Sequence, residues 1–292
     1  MFKKDLLKGK RILVTGGGTG LGREMAAKYL ELGAEIFICG RRKAVLDGTA
    51  KELTAAHGGS VRTFAVDIRD PAAVDAMVQA IWDDGGPLTG LVNNAAGNFI
   101  SRTEDLSSRG FDAIANTVFH GTFYMTHAVG KRWIAGKNKG SVVSIVVTWV
   151  WTGSPFVVPS AMSKAGVHVM TQSLAVEWGR YGIRLNAIAP GIFPTEGAGK
   201  RLAPGRESGR DAAAVNPMQR TGKMEELQNL ATFLMADGCE FLTGQTIAVD
   251  GGACLVNGGS FNELFAWGDA EWEKARAAIK AQNEKDKQQR SS

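Results

Sequence analysis

Short apolar, β-branched runs recur along this chain, separated by stretches of ten or more residues with helical periodicity. Residues 11–15, 35–39, 61–66, 88–92, 140–146, 184–188 and 245–249 are seven such runs. Near-continuous apolar runs of this length suit strands covered on both faces. Their alternation with helical segments predicts an α/β fold: a Rossmann-type, doubly wound parallel sheet of seven strands with helices on both faces. No linker divides the pattern, so one domain over residues 1–267 is expected. Two segments break the rhythm. Residues 191–217 are rich in Gly, Pro and Ala and read as a long substrate loop. Residues 268–292 are highly charged and read as a C-terminal tail or solvated helix.

Composition narrows the picture a little. The chain has 292 residues, 44% of them hydrophobic, enough to bury a core. Lys and Arg number 34 against 29 Asp and Glu, a mild excess of +5 that is spread along the chain. No basic-aromatic module accompanies it, so no nucleic-acid partner is expected; a groove for phosphate-bearing cofactors accounts for it. Cys39, Cys239 and Cys254 lack metal-ligand spacing and read as reduced, buried thiols, with no metal expected. The charged start has no apolar stretch of signal-peptide kind, no run approaches a membrane span, and the final Arg290-Ser291-Ser292 is not a peroxisomal address. A cytoplasmic protein with no membrane partner is the expectation.

The chemistry gathers at the carboxyl ends of the expected strands, where such sheets bind ligands. Thr15, Gly16, Gly17, Gly18, Thr19, Gly20, Leu21 and Gly22 follow the first strand and open a helix. Glycines there permit the turn and let the backbone approach a pyrophosphate at the helix N-terminus. The second strand ends in Cys39-Gly40-Arg41-Arg42. An acid at this place would bond the ribose 2′-hydroxyl of NAD; Arg41 instead suits a 2′-phosphate, so the expected cofactor is NADP(H). Asp67 and Ile68 would meet the adenine. Asn94, Ala95 and Gly97 would border the cofactor after strand four. Pro190, Gly191, Ile192 and Thr195 would border the nicotinamide after strand six.

The spacing Thr-Gly-x-x-x-Gly-x-Gly resembles that of the short-chain dehydrogenase/reductase family. Within it, residues 94–101 (Asn-Ala-Ala-Gly-Asn-Phe-Ile-Ser), 156–161 (Phe-Val-Val-Pro-Ser-Ala), 163–166, 175–179 and 261–264 resemble 2,4-dienoyl-CoA reductases, over about residues 8–266. The superfamily normally carries Tyr-x-x-x-Lys. Here Lys164 is kept and Ser160 stands in the tyrosine's place, which is itself part of the narrower resemblance. The resemblance implies Asn98, Ser160 and Lys164 as catalytic residues, with Lys164 also on the nicotinamide ribose. It places Arg69, Phe99, Ser107, Trp149 and Arg201 near an acyl-CoA substrate, and implies a homo-oligomer, a tetramer formed through helices around 109–135 and 160–181. Mitochondrial-type relatives carry a tyrosine a few residues past strand five. This chain has Trp149 there, and indole has one N–H donor and no useful acidity.

The implied activity is NADPH-dependent reduction of a 2,4-dienoyl-CoA to a 3-enoyl-CoA, of the kind used in fatty-acid β-oxidation. Hydride added to the far end of the diene leaves charge on the thioester oxygen, which needs aimed donors. Two rivals stand beside it. A carbonyl reductase acting on a 3-oxoacyl thioester would want a serine where Val147 stands and a tyrosine at 160. A non-catalytic nucleotide-binding scaffold would keep the fold and lack turnover; Trp149 supports it, and the retained Asn98 and Lys164 argue against it. Duller readings also exist for single residues. Asn98 bonds loop backbone, Lys164 is a structural helix lysine, Ser160 serves as a helix N-cap, Trp149 shapes an apolar pocket, Arg69 and Arg201 are surface charges, and His120 and His168 pack helices.

Overall fold

A computed structural model describes residues 1–195, 213, 216–256, 266–275 and 277. The chain divides into two compact units, Met1–Cys254 and Leu255–Ser292. The first unit holds the strands β1 (Arg11–Thr15), β2 (Glu35–Gly40), β3 (Val61–Ala65), β4 (Gly90–Asn93), β5 (Gly140–Ile145), β6 (Ile183–Pro190) and β7 (Thr246–Val249). Between them run α1 (Gly20–Glu31), α2 (Lys43–His57), α3 (Pro71–Asp83), α4 (Ser108–Ala115), α5 (Gly121–Ala135), α6 (Trp149–Thr152), α7 (Val158–Trp178) and α8 (Met224–Met235). A π turn, Asn116–His120, joins α4 to α5.

The seven strands form one sheet in the order β3-β2-β1-β4-β5-β6-β7, every pair parallel. The order reverses between β1 and β4. That reversal opens a crevice above the carboxyl ends of these two strands, the usual ligand position in such sheets. The doubly wound sheet read from the apolar runs is therefore the fold. The expected strand at 88–92 begins later, at Gly90. Leu88 is fully buried outside the ladder, and its carbonyl accepts the Trp133 indole N–H at 2.6 Å.

Alternation along β1 sends Ile12 and Val14 to one face and Leu13 to the other. On the first face Met25 and Leu30 of α1 and Leu227 and Leu234 of α8 pack against Ile38, Val143 and Ile188. On the second, Met77 and Ile81 of α3, Met125 and Trp133 of α5 and Trp178 of α7 cover Phe37, Leu91 and Leu185. Both faces are covered, so the strands need no polar side.

The amino edge of the sheet is closed by two arginines. The Arg11 guanidinium pairs with Glu35 at 2.7 Å and donates to the carbonyls of Asp84 (2.7 Å), Ile81 (3.3 Å) and Gly86. Arg184 donates to the carbonyls of Leu234 at 2.9 Å, Ala236 at 3.1 Å and Leu242 at 3.5 Å. These include the orphan carbonyls at the C-terminal ends of α3 and α8. All three cysteines are free, but only Cys39 is buried. Cys239 lies in the turn after α8 and Cys254 follows the Asp-Gly-Gly turn, so both are half-exposed, unlike the fully buried thiols expected. In the second unit the rings of Trp267 and Trp272 meet edge to face with centroids 5.1 Å apart. No helix among the described residues is long and apolar enough to cross a membrane.

Candidate active site

The two banks of the crevice are built by backbone and short side chains. Gly16 and Gly20 take φ values of +64° and +57°, which side-chain-bearing residues disfavour, and so allow the tight turn after β1. The Thr15 hydroxyl accepts the amides of Asn94 and Ala95, both at 2.9 Å. Asn94 in turn donates to the Thr15 carbonyl at 3.0 Å. Thr15 and Asn94 thus lock β1 to β4 and leave the turn above them open. A Cβ at Gly22 would lie 2.4 Å from the Asn94 amide nitrogen, so this helix start must be bare for the lock to form. Thr19 is the N-cap of α1 with no side-chain bond, and the first turn holds no acid. The amides of that turn therefore remain available to an anion. Thr195 comes within 4.0 Å of a Cβ placed on Gly20, which brings the segment after β6 across the glycine turn. Gly191 lies so near Asp250 that a Cβ there would be 2.7 Å from the Asp250 Cα.

At the end of β2 Arg41 is exposed and has no hydrogen bond or ion pair among the described residues. Its charge reaches Asp67. Asp67 is held by Arg69, whose guanidinium reaches it at 2.5 Å. That bond, with a smaller pull from Arg41, keeps the Asp67 carboxyl below its ordinary range. Ile68 is buried and wedged against Gly121 of α5, where a Cβ would lie 2.7 Å from it.

Asn98, Ser160, Lys164 and Trp149 lie further along the carboxyl edge. The Asn98 side-chain oxygen accepts the Phe99 amide at 2.9 Å. Its amide nitrogen has no partner among the described residues, so a fixed side chain keeps a free donor. Ser160 and Lys164 stand one turn apart on α7, both buried. Ser160 is not the N-cap: α7 starts at Val158, capped by Val157, which puts Ser160 at the third helical position. Its hydroxyl is bonded to nothing among the described residues. The Lys164 ammonium donates to the Ile145 carbonyl at the end of β5. No carboxylate pairs with it among the described residues, and burial lowers its pKa to about 8. Trp149 opens α6, half-buried, its indole N–H also unpartnered among the described residues.

A family model described as enoyl-(acyl carrier protein) reductase matches residues 16–254. The chain belongs to that family of short-chain reductases. A protein named probable 2,4-dienoyl-CoA reductase, (3E)-enoyl-CoA-producing, from Caenorhabditis elegans is 43% identical, covering 98% of this chain and 94% of that one. One named probable 2,4-dienoyl-CoA reductase, (2E)-enoyl-CoA-producing, from Bacillus subtilis is 38% identical over 84% of this chain and 97% of its own. Among solved structures, a short chain dehydrogenase from Bacillus anthracis superposes with a TM-score of 0.78 at 39% identity, covering 84% and 96%. A gluconate 5-dehydrogenase from Burkholderia cenocepacia, in complex with NADP and tartrate, gives 0.79 at 29% identity, covering 86% and 97%.

In this short-chain reductase the remaining expected residues divide. Phe99 is half-buried, its ring beside Gly110 at the start of α4. Ser107 is exposed and is the N-cap of α4, accepting the Gly110 amide at 3.1 Å. Arg69 is engaged by Asp67, and Arg201 lies outside the described residues. His168 bonds Thr246 at 2.8 Å and meets the Trp151 ring, a packing role. Two features had no clear signal in the sequence. Asp250 is buried beside Gly191, its carboxylate accepting the Gly252 amide at 2.9 Å and the Cys254 amide at 2.7 Å; Asp-Gly-Gly reads as an ordinary turn. The π turn before α5 puts Phe119 against Gly166 of α7, a contact between segments far apart in the sequence.

Proposed function

We propose that this short-chain reductase reduces a 2,4-dienoyl-CoA to a 3-enoyl-CoA with NADPH. The observation that carries the reading is the Asn98 side chain just past β4, its amide donor unpartnered among the described residues, at the same carboxyl edge where Lys164 meets the end of β5, in a chain whose relatives include several named 2,4-dienoyl-CoA reductases. The glycine turn, the open start of α1 and Arg41, unpaired among the described residues, fit a nicotinamide dinucleotide phosphate. They would hold its pyrophosphate and 2′-phosphate, and Lys164 its ribose. When bound, that cofactor supplies the hydride.

The protein's part is electrostatic. Asn98 donates to the thioester oxygen as charge gathers there, and Ser160 or the Trp149 indole adds a second donor. An aimed donor of this kind contributes about 3 kcal/mol to lowering the barrier. Lys164 keeps a positive charge close by. The α-carbon takes its proton from water. This chemistry asks less of an acid than a ketone does, whose alkoxide must be protonated directly, and so tolerates the loss of tyrosine at 160. Arg69, Phe99, Ser107, Trp149 and Arg201 are assigned to the acyl-CoA.

We assign residues 1–267 to one reductase domain with 191–217 as its substrate loop, and 268–292 to a tail. The exposed Phe119 and Phe123, with Met162 and Val176 on α7, support a homotetramer built through these helices. Sedimentation tests that assembly. We place the protein in the cytoplasm, which fractionation tests, since relatives include reductases named peroxisomal. For the activity itself, purified protein is mixed with NADPH and either a 2,4-dienoyl-CoA or a 3-oxoacyl-CoA. Loss of NADPH absorbance with the dienoyl substrate alone is the expected result. Turnover of the oxo substrate, or cofactor binding without turnover of either, would overturn it.

A further inference from the structure

Among the described residues only Lys137, Phe156 and Gln219, apart from glycines, have positive φ, at 53°, 64° and 51°. Lys137 follows the end of α5, and Gln219 closes a turn by donating to the Asn216 carbonyl at 2.8 Å. Left-handed backbone is ordinary in both settings. Phe156 is a large apolar residue in a region that bulky side chains avoid. Burial does not explain it, because Phe156 is 56% exposed. A glycine at this place would hold the same backbone without strain.

The backbone has a clear task. The Phe156 carbonyl accepts the Ser101 amide at 2.9 Å. This bond ties the loop carrying Asn98 and Phe99 to the loop that leads into α7 and Ser160. The ring has none: it meets no other aromatic ring among the described residues. Ile100, next to Ser101, is 46% exposed at the same junction.

We propose that Phe156 is a specificity-determining residue, its ring forming with Ile100 a platform for the acyl chain of the substrate. The assignment rests on the dienoyl thioester reading of the site. With the thioester oxygen at Asn98, the chain beyond the reacting carbons must leave along a surface near that loop. The junction of the two loops supplies an apolar one. The phosphate-bearing end of the thioester has no use for such a surface. Phe156 lies just before the start of α7, at the catalytic edge.

The test measures binding of saturated six- and ten-carbon acyl-CoAs by calorimetry, with NADP present. Wild type is compared with Phe156→Ala and with Phe156→Gly, whose backbone accepts the positive φ. The ten-carbon ligand should bind more tightly to wild type, and both variants should lose about tenfold of that advantage while binding the six-carbon ligand nearly as before. Equal losses at both lengths, or none, overturn the assignment. So does an unchanged length preference in a variant whose assembly has dissociated, which would put the ring in a subunit contact. Turnover of 2,4-hexadienoyl-CoA by the same wild-type sample tests the reaction separately. Length-dependent binding without turnover would sink the reaction and keep the platform.

Discussion

The two edges of the sheet treat their polar side chains in opposite ways. At the amino edge Arg11 and Arg184 are fully engaged, closing helix C-termini with several bonds each. At the carboxyl edge, among the described residues, Arg41 is unpaired, Asn98 keeps a free amide, Ser160 has no partner, and Lys164 is buried with a carbonyl but no acid. Buried or fixed polar groups left without partners reduce stability. A fold that satisfies such groups at one edge and leaves them open at the other reserves the second edge for a ligand. Composition cannot show this, because arginine stands at both edges and only its partners differ.

Five single substitutions and one double variant press on that contrast, beginning with the largest effect. Asn98→Ala should lower kcat by about 10²–10³, the usual cost of losing one aimed donor, while Tm stays near wild type. A matching loss of Tm would make Asn98 a structural residue and erase the contrast at its centre.

Lys164→Met comes next and acts in opposite senses on stability and function. Burial holds the Lys164 pKa at about 8 against an ordinary 10.5. Between those values the unfolded chain binds the proton and the folded chain does not, so the lysine's contribution to stability rises with pH across that window. Below pH 8 its burial cost is present in full, on the order of 3 kcal/mol. Cys39, pushed up to about 12, and the buried Tyr29, also raised, have the reverse effect above their unfolded values. The difference between wild type and Lys164→Met isolates the lysine. The variant should be more stable at pH 7, with the gap closing by pH 10.5, and should bind cofactor more weakly. A gap constant with pH would mean the ammonium is well solvated or paired.

At the other edge, Arg184→Met should cost about 2–3 kcal/mol of stability, since several carbonyls lose a charged donor at once. Its kcat should not change. Denaturant unfolding and steady-state rates on the same protein decide this. A rate loss without a stability loss would show that the amino edge is coupled to the site.

The contrast also explains what could be read from the residues alone. The sheet was legible because seven apolar runs alternate with helical segments, and each became a parallel strand. The glycine turn was legible because its spacing directly follows a strand. Asn98 could be singled out only through its resemblance, since no pattern in one sequence says which asparagine keeps a free donor. Ser160 was open to reading as an N-cap because serine favours that place, but Pro159 fits the second helical position and the helix begins before it. Phe156 gave no sign, because backbone strain is not encoded in residue type. Asp250 and the π turn escaped for the same kind of reason: both depend on contacts between distant segments.

The smallest effects separate neighbouring arginines. Arg41 is exposed and unpaired among the described residues, so Arg41→Ala should weaken NADPH binding by about ten- to hundredfold and leave NADH nearly unchanged. The loss should shrink in high salt, because an exposed pair is screened. Arg69 sits beside it but is bonded to Asp67. Removing Arg69 frees the Asp67 carboxylate, whose field already reaches Arg41. Arg69→Ala should therefore weaken NADPH binding only a few-fold, about what one exposed ion pair contributes, and adding Asp67→Asn should restore it. If Arg69→Ala instead matches Arg41→Ala and the second substitution restores nothing, both arginines hold the 2′-phosphate directly. The Asp67 pair would then break when cofactor binds.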